Sequence, residues 1–111
     1  MSVNQVRVTV AVAAVLHAFL ENAAAPRYGY ELIKATGFPS GKLYPILARL
    51  ETAGWLVKQR EDADPTVAGR PVRWWYRLSG EGEIAARREL AVLHQQLTPA
   101  PRFALGLESL A

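Results

Sequence analysis

The stretch Tyr28-Gly29-Tyr30-Glu31-Leu32, continued through Leu43-Tyr44-Pro45-Ile46-Leu47 to Leu50-Glu51-Thr52-Ala53-Gly54-Trp55-Leu56, decides how the chain is read. Its apolar residues recur at helical spacing in two short runs, then a glycine turns directly into a strand. The earlier run predicts a helix over Tyr28 to Thr36, with Leu32 and Ile33 inward and Gly37 as its stop. Phe38-Pro39 makes the turn, and Ser40 is the expected N-cap of a helix running to Thr52 or Ala53. Leu43, Ile46, Leu47 and Leu50 form the buried stripe of that helix, and its opposite face carries Lys42, Tyr44, Pro45 and Arg49. Pro45 removes one backbone donor, which a helix tolerates only near its start. A helix-turn-helix that exposes Lys, Tyr, Ser and Arg on its second helix has the form of a DNA reader.

Toward the N-terminus, residues 4 to 22 read as a first helix. Val6, Val8, Val10 and Val12 alternate like a strand, but the Ala-rich run up to Leu20 is too long for one. The run is interrupted by Arg7, Thr9 and His17 and is short for a membrane span. A signal peptide is disfavoured as well. The sole positive residue before Ala23-Ala24-Ala25 is Arg7, inside the run, and cleavage would remove a helix the domain needs.

Toward the C-terminus, Trp55 to Arg60 reads as a strand and Glu61 to Gly69 as a loop with an acidic tip at Glu61, Asp62 and Asp64. Val72 to Leu78 alternates cleanly: Val72, Trp74, Tyr76 and Leu78 share one face, and Arg73, Trp75 and Arg77 the other. The two strands form a long hairpin. Ser79 caps a final helix whose first turn holds Glu81 and Glu83, where the dipole favours acids. Along it Ala86, Leu90, Leu93 and Leu97 form a seam suited to a partner helix, and Pro99 and Pro101 end it. The tail from Arg102 either packs as one more helical turn or frays. The fold class is therefore mainly α with a small β-hairpin: a winged helix-turn-helix over residues 1–78, then a C-terminal dimerisation helix and tail over 79–111.

Composition narrows the function. Half of the residues are hydrophobic, enough for a core, and the net charge of +3 suits an anionic partner only if the basic residues cluster. No cysteine is present, which excludes disulfides, thiolate metal sites and thiol catalysis and fits a cytoplasmic location. His17 and His94 have no ligand spacing to other residues, so no metal is expected. Asp62 and Asp64 lie in a loop with no organising base. No nucleophile–base pair, phosphate loop or dinucleotide fingerprint occurs, so neither an enzyme nor a cofactor is expected.

Several motifs taken in order are more specific than any one of them. Tyr28-Gly29-Tyr30-Glu31-Leu32-Ile33-Lys34, Ser40-Gly41-Lys42-Leu43-Tyr44-Pro45-Ile46-Leu47 and Arg49-Leu50-Glu51 are followed by Gly69-Arg70-Pro71, Trp75-Tyr76-Arg77-Leu78-Ser79 and Gly82. Over roughly residues 10 to 90 the chain resembles the PadR family of bacterial transcription regulators, in particular its short members. The resemblance implies a homodimer, usually a repressor, acting on double-stranded DNA at a palindromic operator. A small-molecule effector is a further partner to consider, and no membrane is involved. The alternative is a winged-helix module for protein interaction without a specific DNA site.

The DNA-binding candidates are Tyr28, Ser40, Lys42, Tyr44, Pro45, Arg49, Arg70 and Arg73. Ser40 and Lys42 lie at the start of the second helix of the motif, where a recognition helix meets the groove. Tyr44 can donate to phosphate, and Arg49 meets phosphate, Glu51 or solvent. Tyr28, with Arg27 beside it, lies where the motif's first helix crosses the backbone, whereas Tyr30 is expected to pack. Arg70 and Arg73 belong to the base of the hairpin and are better placed for phosphate than its acidic tip. Trp55 and Trp74 are expected in the core. Trp75 is exposed, stacked on arginine or covered by a partner. Dimerisation is assigned to Ala86, Leu90, Leu93 and Leu97.

Overall fold

The alternating valines near the N-terminus fall into two conformations. The computed structural model describes residues 4–97, and in it residues 4–9 lie outside any helix. Helix α1 spans Val10–Leu20, and Thr9 Oγ1 caps it by accepting from the Val12 N–H at 3.2 Å. The helix thus begins at Val10 rather than at residue 4. The reason is tertiary: the Asn4 N–H donates to the Ala53 carbonyl at 3.0 Å, and the Asn4 carbonyl accepts the Trp55 indole N–H at 2.7 Å. The tail after Leu97, with Pro99 and Pro101, lies outside the described residues.

A short strand, β1 (Arg27–Tyr28), precedes α2 (Gly29–Thr36). Glu31 reaches back to accept from the Tyr28 N–H at 2.9 Å, and Gly37 ends α2 in the left-handed region at φ 74°. Helix α3 spans Ser40–Thr52. Its N-cap is Pro39, whose carbonyl accepts from the Lys42 and Leu43 N–H groups; Ser40, the expected cap, is already helical and makes no capping bond. Leu43, Ile46, Leu47 and Leu50 are buried, as their spacing predicts. The C-terminus of α3 is a Schellman motif. The Trp55 N–H donates to the Leu50 carbonyl, the Gly54 N–H to the Glu51 carbonyl, and Gly54 takes φ 85°.

Strands β2 (Leu56–Arg60) and β3 (Trp74–Leu78) pair antiparallel from Leu56 opposite Leu78 to Arg60 opposite Trp74. β1 joins the other edge of β3, with Arg27 opposite Tyr76 and Tyr28 opposite Trp75. The expected two-stranded hairpin is therefore part of a three-stranded sheet ordered β1-β3-β2. Two residues are too few to show a period, so β1 leaves no mark in the sequence. The loop contains one helical turn, α4 (Pro65–Ala68), capped by Asp64 Oδ1 accepting from the Thr66 N–H at 2.9 Å. On β3, Tyr76 and Leu78 are buried while Trp74 is 46 % exposed, because the strand runs out past the helical body. Trp74 is thus not the core residue its parity suggests, and Trp75 is half-buried.

Helix α5 (Gly80–Leu97) starts inside the same core. Ser79 Oγ accepts from the Gly82 N–H at 2.9 Å and donates to the Gly54 carbonyl at 2.7 Å, while the Ser79 N–H donates to the Trp55 carbonyl. Gly82 lies directly over the Trp55 main chain: a Cβ there would overlap the Trp55 carbonyl oxygen and meet its carbonyl carbon and Cα at 2.7 Å. Ala86 is 0 % exposed, so a division after residue 78 does not separate two cores.

Gly82→Ala is therefore expected to destabilise the domain by about 1–3 kcal/mol, because the obstacle is backbone and cannot rotate away. At about 4–8 °C per kcal/mol for a domain of this size, thermal unfolding followed by circular dichroism resolves the effect. An unchanged midpoint refutes the close packing.

Candidate nucleic-acid interface

The basic and aromatic candidates divide into an exposed helix face, a recess beside it, and a pair tied up within the wing. On α3 the buried leucine stripe turns Ser40, Lys42, Tyr44, Pro45 and Arg49 outward, and all five are exposed. No acid occupies the first turn of α3. The N-terminal amides of the helix and the Lys42 ammonium therefore present positive charge together. Lys42 Nζ lies 4.2 Å from the centre of the Phe38 ring, which holds the ammonium beside the turn between α2 and α3.

Tyr44 points toward α2. Its hydroxyl sits so close to Gly29 that any Cβ at that position would collide with it. This contact joins Tyr44 to Tyr28 and Tyr30, whose rings stack at 5.7 Å with a 12° interplanar angle. Arg73 reaches the same place from the wing, its guanidinium 5.1 Å from the Tyr30 ring centre. Tyr28, Tyr44 and Arg73, three of the sequence candidates, thus line one recess with Gly29, Tyr30, Lys58, Val72, Trp74 and Tyr76. Tyr30 lies 46 % exposed beside it rather than packed away. Burial, with smaller contributions from Tyr44 and Glu51, raises the Tyr76 phenol above its ordinary value, so it stays a neutral hydrogen-bond donor at physiological pH.

Two arginines turn inward. Arg27 sends its guanidinium back to the Ala18 carbonyl in the last turn of α1, at 3.5 Å, where the helix dipole favours a cation. Arg70 is engaged by Glu61. Arg70 Nη1 lies 2.7 Å from Glu61 Oε1, with the carboxylate side chain 8 % and the arginine side chain 36 % exposed. The approach neutralises the charge but lacks the angle of a hydrogen bond. Glu61 is thus not part of an acidic tip: its N–H pairs with the Arg73 carbonyl at 2.9 Å and extends the β2–β3 ladder, which carries the side chain under the loop.

Lys58, Trp74 and Tyr76 are members of the recess that sequence reasoning missed. Lys58 stands opposite Tyr76 across the β2–β3 ladder, and its ammonium lies 4.9 Å from the Trp74 ring centre. Only the strand register brings these three together. Along α5 the seam is graded: Ala86 is in the core, Leu90 packs against it, Leu93 is half-buried and Leu97 is 68 % exposed. Among the described residues no group of three His, Cys, Asp or Glu is arranged to hold a metal ion, and no helix is long and apolar enough to cross a membrane.

Comparison with known proteins agrees with this geometry. A model of the family described as "Transcriptional regulator PadR-like family" matches residues 15–88. A PadR-like transcription factor from Bacteroides fragilis superposes with a TM-score of 0.59 at 20 % identity, over 92 % of this chain and 89 % of that one. BpsR of Bordetella bronchiseptica, whose DNA binding is described as regulated by 6-hydroxynicotinic acid, gives 0.65 at 18 % identity over 96 % and 80 %. Reduced AbfR bound to DNA gives 0.61 at 22 % identity over 93 % and 68 %. No protein of curated function matches the sequence significantly.

Breaking the Glu61–Arg70 pair exposes its role. Arg70→Met is expected to cost about 1–2 kcal/mol, less than a fully buried pair because the arginine is partly solvated. The double variant Glu61→Gln/Arg70→Met should lose less than the sum of the single changes in urea denaturation. Strict additivity shows that the two side chains do not interact.

Proposed function

The chain belongs to the PadR-like family of transcriptional regulators, and from that premise we propose that it is a homodimeric repressor that binds a palindromic operator in the bacterial cytoplasm. The observation that carries this reading is the division of α3: leucines fix one face to the core, and Ser40, Lys42, Tyr44, Pro45 and Arg49 stand outward on the other with no acid in the first turn. In this reading α3 enters the major groove. Lys42, with Ser40, meets base edges or the adjacent phosphates, and Tyr44 and Arg49 meet phosphate. Tyr28 approaches the backbone from the start of α2. Arg73 supplies the backbone contact from the wing, and Arg70, held by Glu61, contributes less. The DNA-bound state of AbfR supports DNA as the partner of this fold.

The dimer rests on α5. The stripe of Ala86, Leu90, Leu93 and Leu97 is core-facing at its start and solvent-facing at its end, which leaves apolar surface for a second copy of the helix. A symmetric pair presents two α3 helices, and half-sites should lie about one helical turn, roughly 34 Å, or a multiple of it apart.

Leu93→Asp and Leu97→Asp should shift the protein from dimer to monomer in sedimentation velocity and weaken operator binding, because a carboxylate in a paired seam is desolvated without a partner. Leu97 is free of the intrachain core, so its variant should keep the native circular dichroism spectrum. An unchanged dimer removes the seam.

Lys42 and Arg73 should separate reading from clamping. Lys42→Ala should cost about 1–3 kcal/mol on the operator and alter sequence preference. Arg73→Ala should weaken specific and non-specific DNA alike and reduce the salt slope by about one unit. Mobility shifts at several salt concentrations measure both. The opposite pattern overturns the docking of α3, and no duplex binding at any salt leaves protein interaction as the function.

A further inference from the structure

Helix α3 is flanked twice. Tyr44 borders the recess shared with α2 and the wing, while Ala48, Arg49 and Thr52 border a second, open groove whose other wall is the segment from Asn4 to Arg7. That segment is fixed in place. Asn4 bonds through its N–H to the Ala53 carbonyl and through its carbonyl to the Trp55 indole, and Val6 and Val8 pack against the core. With a valine turned inward on each side of it, Arg7 stands outward and exposed.

Arg7 and Arg49 line this groove together. No aspartate or glutamate lines it, and among the described residues neither arginine lies within ion-pair distance of a carboxylate. Arg27, Arg70 and Arg87 differ, since each has a partner inside the chain. Two like charges on one groove repel each other, and an anion between them turns that cost into attraction.

The walls and the position of the groove select the anion. Val6, Ala48 and Ala53 supply apolar surface beside the two guanidiniums. A small hydrated ion would lose water against these side chains. A nucleic-acid backbone offers phosphate to the arginines and the CH faces of its sugars to the apolar walls. The groove also continues the exposed face of α3: Lys42, Pro45, Arg49 and Thr52 step by three and four residues along one stripe that ends in it. We propose that the groove between the N-terminal segment and the C-terminal half of α3 is a second backbone site for duplex DNA, where Arg7 joins Arg49 on phosphate. The proposal rests on the docking of α3 given above. The duplex is then held from two sides, by Arg73 of the wing and by Arg7 of the N-terminal segment. Arg7 precedes residues 15–88, the part that matches the family, so this contact belongs to the chain's own N-terminal segment.

The test measures binding of the full chain to a mixed-sequence duplex by fluorescence anisotropy over a range of salt, which requires no operator. Arg7→Gln should weaken binding roughly eightfold near 0.1 M salt, lower the salt slope by about one unit and lose its effect near 1 M, as one lost phosphate contact does. Arg7→Lys should keep the slope, because a point charge suffices for phosphate. Arg7→Gln/Arg49→Gln should lower it by about two units. Arg87→Gln removes the same charge from α5, where Arg87 pairs with Glu83, and should leave the slope unchanged. All four variants should unfold at the wild-type temperature, since these side chains are exposed. An unchanged slope in Arg7→Gln, or an equal drop in Arg87→Gln, overturns the site. Binding of poly-glutamate that depends on Arg7, with duplex binding that does not, makes the groove a site for acidic peptide and overturns the proposal as well. If Arg73→Ala lowers the slope and Arg7→Gln does not, the docking of α3 stands and only this contact falls. A wild-type chain that binds no duplex at any salt overturns both.

Discussion

The main chain of Trp55 is where the parts of this domain meet. Its N–H closes the end of α3 by bonding to Leu50, its carbonyl receives the Ser79 N–H at the start of α5, and its indole N–H bonds to Asn4 of the N-terminal segment. Gly82 presses on it from α5. The close packing of backbone on backbone leaves little freedom in the angle between α3 and α5. If α5 joins two copies, the spacing of the two α3 helices on DNA is set through this joint. Every hydrogen-bonding group of Trp55 is occupied, so moving either helix would leave a buried donor or acceptor unpaired.

Charge is arranged by the same economy. The loop of the wing contains acids, yet Glu61 is folded under it against Arg70, and Asp64 is spent on capping α4. Toward α2 and α3 the surface gathers Lys42, Arg49, Lys58 and Arg73 beside the tyrosines and Trp74, with Glu51 of α3 the acid that acts on Tyr76. A modest net charge of +3 thus becomes a directed surface. Arg27 shows the converse. It sits next to the recess in sequence, yet its guanidinium faces the C-terminus of α1, so it strengthens the fold rather than the interface.

Helix α5 does two things along one stripe. Near Gly82 and Ala86 it completes the core, and by Leu97 the same side of the helix has left the body of the domain. Monomer folding and the proposed pairing of copies therefore draw on one continuous apolar face, which ties pairing to the integrity of the domain.

Periodicity determined much on its own. The spacing of Leu43, Ile46, Leu47 and Leu50 fixed α3 and its outward residues, Gly37 and Gly54 fixed two helix ends, and Ser79 fixed the start of α5, because these signals are local to a few residues. The chain's family was legible too, since its motifs fall in order along the sequence. Tertiary structure decided the rest. It delayed the start of α1 to Val10 by pulling Asn4 onto Trp55, added β1 to the sheet, made Pro39 rather than Ser40 the cap of α3, and exposed Trp74 by carrying β3 past the body. It also buried Glu61 with Arg70 and gathered Lys58, Trp74 and Tyr76 with the tyrosines of α2 and α3. Each of these outcomes depends on strand register or on contacts between residues distant in the chain, and local spacing carries no information about either.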